Sequence, residues 1–203
     1  MVISKTELEY IERLLGSSDE SNIELGLTIL SGFALDENSI NWLISYYQKL
    51  EQEATINQDR RNLQAVLIGT VDSKPTKASR ILTMLLEKTD LSIQRDILKS
   101  LFIDSKTLKL PRIEFTDFPK IIFQFPDLEK IVWQFGNLKS IPETILDLPK
   151  LNFLDVRHQP LEYIAEKVTA HKNLKEIWIG NALIITEDIA DAADFEIFIE
   201  AAY

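Results

Sequence analysis

Length, composition and charge limit both the fold and the function of this chain. Its 203 residues suit one large or two small domains, and 45% hydrophobic residues are enough for a buried core. The absence of cysteine excludes disulfides, thiolate metal sites and cysteine nucleophiles. A net charge of −10 argues against electrostatic binding to nucleic acid or to an anionic membrane. The N-terminus has no basic-then-apolar leader and no long apolar run follows, so we expect a cytoplasmic protein without a membrane span.

The charge is distributed unevenly and divides the chain into three segments. Residues 1–104 carry a net charge of −5, residues 105–185 of +1, and residues 186–203 of −6. A nearly neutral middle segment repels a partner least. Charge of this kind also serves solubility alone, which is the simpler interpretation.

The first hundred residues have helical periodicity. Ser4 and Glu7 form a capping-box pattern ahead of a first helix, and Gly16 marks its end. Ser21 and Ser39 are the predicted caps of the next two helices. The pattern predicts the third and later helices over 40–53, 60–69, 77–87 and 92–102.

Two predicted helical hairpins in this segment are similar to each other. One contains Leu14, Leu15 and Asp19, and the other contains Leu85 and Leu86 at matching positions before an aspartate. Both weakly resemble hairpins of the HEAT family, which implies a short α-solenoid. The alternative is an irregular helical bundle, and either arrangement makes 1–104 an α-helical domain.

In the second half, an apolar pattern recurs with a period of 23. Leu128, Leu151 and Leu174 each begin a copy, with apolar residues three and five positions later. Alternation of this kind predicts strands, and Pro119 and Pro142 prevent the chain from continuing as a strand. The predicted strands are parallel and cover 107–111, 130–134, 153–157 and 176–180.

This pattern resembles the leucine-rich repeat family over Leu108 to Ile184, because both the period and the leucine–proline type of turn recur. The resemblance implies a short solenoid of parallel strands over 105–185 that recognises a partner. The family's asparagine, which bonds backbone groups inside the turn, is absent, and Asn137 or Asn181 is a possible substitute one residue away. The positions that correspond to this asparagine are Ile113, Gly136, Gln159 and Ala182.

Residues 186–203 are predicted to form an acidic amphipathic helix that begins at Thr186 and covers the last strand. A docking tail for another chain is the alternative. The predicted fold class is therefore α+β, with an N-terminal α-helical domain, a short leucine-rich-repeat solenoid with parallel strands, and a C-terminal helical cap.

No pattern for catalysis, cofactor binding or metal binding is present in the sequence. Glycine-rich phosphate loops, zinc-protease helices and serine-hydrolase elbows are missing. The two histidines, His158 and His171, are well separated along the chain, and the acidic residues after Thr186 lack the spacing of a calcium loop. We therefore expect no enzyme activity, no cofactor and no metal.

The outward positions of the predicted strands form the candidate site. If Ile131, Leu154 and Ile177 point into the core, their neighbours along each strand point out. Aromatic side chains beside arginine at such positions are typical of interface centres. The candidate partner-binding residues are Lys130, Val132, Gln134, Phe135, Phe153, Asp155, Arg157, His158 and Trp178. Alternatively, the tail or the helical domain covers them, and a one-residue register error would exchange inside for outside.

We expect a non-catalytic protein–protein interaction module that binds a protein or peptide through this face and the adjacent loops. A face of four strands offers on the order of 200–300 Å², against roughly 800 Å² for a standard interface. The first alternative is an enzyme or small-ligand binder with a pocket at the domain junction. The second is an inhibitory protein of the bacterial immunity type that blocks its partner through acidic surface.

Overall fold

The computed structural model describes residues 3–68, 76–180 and 193–200, with the backbone alone for 54–68 and for Glu200. The chain forms two compact units, Met1–Thr89 and Asp90–Tyr203. The described part of the first unit is helical and that of the second combines one helix with mostly parallel strands, so the predicted α+β class is confirmed. Among the described residues, no helix has both the length and the apolar character needed to cross a bilayer.

The helices of the first unit begin at short acidic or hydroxyl side chains. The predicted capping box is confirmed, because Ser4 Oγ accepts from the Glu7 backbone N–H at 3.3 Å and Glu7 accepts from that of Ser4 at 2.7 Å. The second cap is Asp19 rather than the predicted Ser21, whose N–H it binds at 2.9 Å. The described helices are α1 (Lys5–Leu15), α2 (Glu20–Ser31), α3 (Glu37–Ile68) and α4 (Lys77–Lys88).

The third helix is longer than the sequence predicts. It begins just after Asp36, whose carboxylate accepts from the Ser39 N–H at 2.8 Å. The two helices predicted over 40–53 and 60–69 are one continuous helix in the structure. No glycine or proline lies between Glu53 and Arg60, so nothing in the backbone interrupts it.

Lysines of α4 bind the C-terminal ends of α1 and α2. Lys77 Nζ donates to the carbonyl oxygens of Leu15 and Ser17, at 3.0 and 2.9 Å. Lys88 Nζ donates in the same way to the Ser31 carbonyl. These ammonium groups satisfy terminal carbonyls and complement the negative ends of the helix dipoles.

In the second unit, the main sheet has six strands in the order β1-β2-β3-β5-β7-β8, and β4 and β6 pair separately. The first pair is antiparallel and the remaining pairs are parallel. The strands are β1 (Ile103–Asp104), β2 (Thr107–Lys109), β3 (Lys130–Val132), β4 (Ser140–Ile141), β5 (Phe153–Val156), β6 (Tyr163–Ile164), β7 (Glu176–Gly180) and β8 (Glu196–Glu200).

From β2 to β7 the parallel strands pair at a constant offset along the chain, which equals the period of the apolar pattern. Leu108 pairs with Ile131, Ile131 with Leu154, and Leu154 with Ile177. All four side chains have no exposed area. The next inward positions are also fully buried, namely Trp133, Val156 and Ile179. The inward positions predicted from the sequence are therefore confirmed.

Short 3-10 segments follow the strands at the same spacing. They are η1 (Lys120–Gln124), η2 (Glu143–Asp147) and η3 (Glu166–Ala170). Pro119 and Pro142 precede the first two, where the missing N–H and the fixed φ suit the end of extended chain. Ala165 precedes the third with a φ of −63°, so the turn does not depend on proline.

The fifth helix, α5 (Leu91–Leu101), groups with the sheet. It packs against β1 and η1, and β1 pairs with β2. These elements therefore cover the edge of the parallel strands at β2. The compact units consequently divide between Thr89 and Asp90, whereas the sequence places the boundary between residues 104 and 105.

The C-terminal capping helix predicted over 186–203 is wrong for the part of it that the structure describes. Residues Glu196–Glu200 form β8, which pairs in parallel with β7. Phe195 is buried, Ile197 is half-buried and Ile199 is exposed, and these three residues alternate with Glu196 and Phe198 on the other side of the strand. A strand beside β7 satisfies the backbone groups that such a segment carries. The predicted cap Thr186 lies outside the described residues.

Gln159 bonds backbone groups of the turn around Gly136, where the sequence offers Asn137 as the substitute. It is 3% exposed, its Nε2 donates to the Trp133 carbonyl at 2.8 Å, and its Oε1 accepts from the Leu138 N–H at 2.9 Å. At the equivalent position one period earlier in the apolar pattern, Gly136 forms a parallel bridge with Ile113. Asn181, the other predicted substitute, lies outside the described residues.

Replacing Gln159 with leucine removes both turn bonds. The buried Leu138 N–H and Trp133 carbonyl then lose their partner, which costs about 1–3 kcal/mol for each group. We expect Gln159→Leu to lower the free energy of unfolding by about 2 kcal/mol or more in urea denaturation. Gln124→Leu, at an exposed glutamine of η1, is the control and should change it by less than about 0.5 kcal/mol. Equal effects of the two substitutions would contradict the role of Gln159.

Gly136 is required by crowding around the strand turn. A Cβ at this position would overlap the Ile113 carbonyl oxygen and lie 3.1 Å from Trp133 Nε1. We expect Gly136→Ala to destabilise the protein by about 1–3 kcal/mol in thermal unfolding. At Gly180 the nearest atom to an added Cβ is 3.5 Å away, so Gly180→Ala should have a much smaller effect.

Candidate functional site

The outward sides of β2, β3, β5, β7 and β8 form one surface, here called the outer face. The strand register arranges its side chains in two rows that cross the strands. The first row is Thr107, Lys130, Phe153, Glu176 and Glu196, and the second is Lys109, Val132, Asp155, Trp178 and Phe198.

Aromatic rings make a continuous line across the outer face. The ring centroids of Phe153 and Trp178 are 6.5 Å apart, and those of Trp178 and Phe198 are 4.9 Å apart in a stacked arrangement. Lys130 Nζ lies 5.9 Å from the Phe153 centroid and extends the line to β3. Phe153 and Trp178 are half-buried and Phe198 is 36% exposed, so the line presents apolar surface to a partner.

A buried carboxylate holds an arginine against the largest ring of the line. Asp155 is 3% exposed and accepts from Arg157 Nε at 3.0 Å, from Arg157 Nη2 at 2.9 Å and from Gln134 Nε2 at 2.7 Å. The guanidinium carbon of Arg157 is 4.9 Å from the Trp178 centroid. A two-point contact of this kind fixes the plane of the guanidinium as well as its charge.

The protonation of Asp155 follows from these contacts. Burial alone raises the pKa of the carboxyl, but the hydrogen bonds from Arg157 and Gln134 and the positive charge of Arg157 outweigh it and hold the pKa below its ordinary value of 3.8. Asp155 is therefore ionised at neutral pH, and it balances the charge of Arg157.

The indole N–H of Trp178 is also bonded. It donates to Glu176 Oε2, two residues earlier on the same strand, at 3.0 Å. Together with the ring of Phe198 and the guanidinium of Arg157, this bond keeps the indole in one orientation. An ordered aromatic side chain loses little conformational entropy when a partner covers it.

Phe135 and His158 lie just past the ends of their strands and stack on each other. Their centroids are 4.5 Å apart at an interplanar angle of 6°, and both side chains are exposed. His158 has a φ of 58°, a left-handed conformation that turns the chain away from β5. This pair extends the outer face beyond the strands.

The second histidine has a structural position. His171 is 3% exposed, its Nε2 lies 3.0 Å from the Leu148 carbonyl oxygen, and its Nδ1 accepts from the Leu174 N–H at 3.0 Å. Both ring nitrogens therefore bond the backbone. Within residues 3–68, 76–180 and 193–200, no group of three or more His, Asp or Glu side chains is arranged to hold a metal ion.

The structure brings the predicted site residues together. It differs from the prediction in that Asp155 is buried and that Phe198 belongs to the same surface. Eight of them lie half-buried or exposed on or beside the outer face, whereas Asp155 is buried beneath Arg157 and Gln134 and positions them. The sequence interpretation missed Phe198, because it placed this residue on a helix. The alternation of Phe195, Ile197 and Ile199 is the signal that identifies the strand.

An open hollow of about 630 Å³ adjoins the outer face at the start of β7 and β8. Three of its six lining residues are acidic and one is basic. The lining residues are Lys175, Glu176, Ala193, Asp194, Phe195 and Glu196.

No protein-family model matches the chain, and no curated protein matches it.

Removing the charge of Asp155 tests how Arg157 is held. Because the folded-state pKa is depressed, the ionised carboxylate stabilises the fold fully above pH 3.8, and this contribution is lost as the pH falls through the lower folded-state value. We expect Asp155→Asn to cost about 1–3 kcal/mol at pH 7 and the difference from wild type to shrink on acidification below pH 3.8. Urea unfolding at a series of pH values measures this. Asp147→Asn, at an exposed carboxylate, is the control, and a difference for Asp155→Asn that did not change with pH would contradict the assignment.

Proposed function

We propose that this protein is a non-catalytic interaction module that binds a protein or peptide partner through its outer face. The observation that carries the proposal is the line of aromatic rings from Phe153 through Trp178 to Phe198, with Arg157 over its centre. Aromatic and arginine side chains dominate the binding energy of protein interfaces. Their arrangement on one sheet face therefore favours recognition of another polypeptide.

The wider proposal for the fold is a short solenoid similar to leucine-rich repeats. Its support is the constant offset in the strand pairing, which recurs between the 3-10 segments. Gln159, at the position of the family's asparagine, bonds backbone groups of Trp133 and Leu138 in the neighbouring turn one period earlier. Solenoids of this kind present their strands as a recognition surface, which is an argument from analogy.

The size of the outer face limits the kind of partner. Five parallel strands at a spacing of about 4.8 Å span about 19 Å, and the strands are three to five residues long. This surface is smaller than the roughly 800 Å² that each side of a stable complex buries. A short segment of a partner fits the face, and the exposed pair of Phe135 and His158 enlarges it.

Substitution of two rings tests the proposal. We expect Trp178→Ser and Phe198→Ser each to weaken binding about 30-fold, as for interface residues worth about 2 kcal/mol. The ligand is the polypeptide that wild-type protein retains from an extract of its source cells, purified and measured by calorimetry. Phe198 is 36% exposed in the outermost described strand, so its substitution should leave the thermal unfolding midpoint nearly unchanged.

The control is Tyr163→Ser, because Tyr163 is 57% exposed and belongs to the separate pair of β4 and β6. It should bind like wild type. Equal binding by all three variants, or equal loss in all three, would refute the assignment of the outer face as the binding surface.

A further inference from the structure

The charges on the outer face are separated by sign. Arg157 is neutralised by Asp155, which leaves Lys109 and Lys130 on β2 and β3, and Glu176 and Glu196 on β7 and β8. Phe153 on β5 lies between the two groups, and Trp178 and Phe198 lie beside the glutamates on β7 and β8. Across the strands, the outer face is therefore positive on β2 and β3, aromatic from β5 to β8, and negative on β7 and β8.

These charges do not cancel within the protein. Lys109 and Glu196 lie on strands four positions apart, a separation of about 19 Å, which exceeds the screening length of about 8 Å at physiological salt. No ion pair in the described part of the chain involves Lys109, Lys130 or Glu196. Glu176 and Glu196 face each other on neighbouring strands, where two like charges are unfavourable. A cation above this pair would relieve their repulsion.

We infer that the outer face binds an extended peptide segment, about six residues long, that is acidic at one end, apolar in the middle and basic at the other. This inference rests on the proposed function and adds the chemistry of the partner. Its acidic end would lie over Lys109 and Lys130, its apolar residues over Phe153 and Trp178, and its basic end over Glu196 on β8, within reach of Glu176. A segment of this length spans about 20 Å when extended, which matches the width of the five strands.

The hollow beside β7 and β8 supports the basic end of the peptide. Glu176, Asp194 and Glu196 line it, with Lys175 as the one opposing charge. A lysine or arginine side chain is long enough to place its charge among these carboxylates while its aliphatic part contacts an aromatic ring. The carboxylates therefore give the negative end a place for a long cationic side chain.

A second copy of this chain is the main competing occupant, because a face with opposite charges at its ends is complementary to itself about a two-fold axis. Two observations argue against it. Each chain has a net charge of −10, so two copies repel each other. The face is also well below the roughly 800 Å² per partner of a stable dimer. A short segment of another polypeptide fits both constraints.

A peptide array tests the inference. The probes are synthetic heptapeptides with a fixed Trp-Leu-Phe centre and two residues on each side drawn from Glu, Lys and Ser. We expect wild-type protein to prefer peptides with Glu on one side and Lys on the other, in either order. Peptides of the same composition with mixed charges on both sides should bind about tenfold more weakly. The difference should shrink in high salt.

Charge reversal at one end supplies a sharper outcome. In Lys109→Glu/Lys130→Glu both ends of the face are acidic, so the preference should change to peptides with Lys on both sides. Lys120→Glu/Lys172→Glu makes the same change in net charge at exposed lysines outside the outer face and should keep the wild-type preference.

The outcomes separate this inference from the proposed function. In one outcome, wild-type protein binds all peptides equally, whatever the order of their charges, while the Phe198→Ser variant binds none. That result overturns the inference and leaves the proposed function intact. Binding that survives Phe198→Ser, or no binding at all, overturns both. Self-association in sedimentation that Phe198→Ser abolishes overturns the inference in favour of a second copy.

Discussion

The parallel register of the main sheet is the constraint on which the second unit depends. It places Leu108, Ile131, Leu154 and Ile177 side by side in the core. A slip of one residue on β5 would exchange Leu154 and Val156 with their outward neighbours. Burial of each such side chain is worth about 1.5–3 kcal/mol, so the slip would cost about 3–6 kcal/mol, comparable to the whole stability of many domains. Ion pairs between positions one period apart, such as Lys106 with Glu129 and Lys139 with Glu162, follow the same register but add little.

The register also explains why the outer face can carry a function. Once the inward positions supply the core, the outward positions are free from its packing demands, and ordinary solvated residues would suffice there. The chain instead places Phe153, Trp178 and Phe198 in contact and buries Asp155 to orient Arg157. Burying a charged pair costs solvation and is weak support for stability. Arrangements that cost stability and order surface side chains are typical of binding sites.

The inward residues and the pairing of four strands follow from the sequence because a long, regular period repeats the same information several times. Features determined by a single local contact were predicted less well. Asp19 caps α2 in place of Ser21, and Gln159 reaches turn groups that a shorter asparagine was expected to bond. The strand β8 was missed because its pairing with β7, Ile177 with Ile197, has a shorter offset than the other parallel pairs. An acidic segment with spaced apolar residues also fits a helix.

That one misassigned element changes the interpretation of the site more than any other. As a helix, the acidic C-terminal segment would only close the last strand, and its charge would be a matter of solubility. As β8, it continues the rows of the outer face, because Glu196 pairs with Glu176 and Phe198 with Trp178. The same short strand thus protects the edge of β7, completes the aromatic line and supplies half of the negative end. The strongly acidic composition of the segment therefore has a local consequence, which is the separation of charge across the outer face.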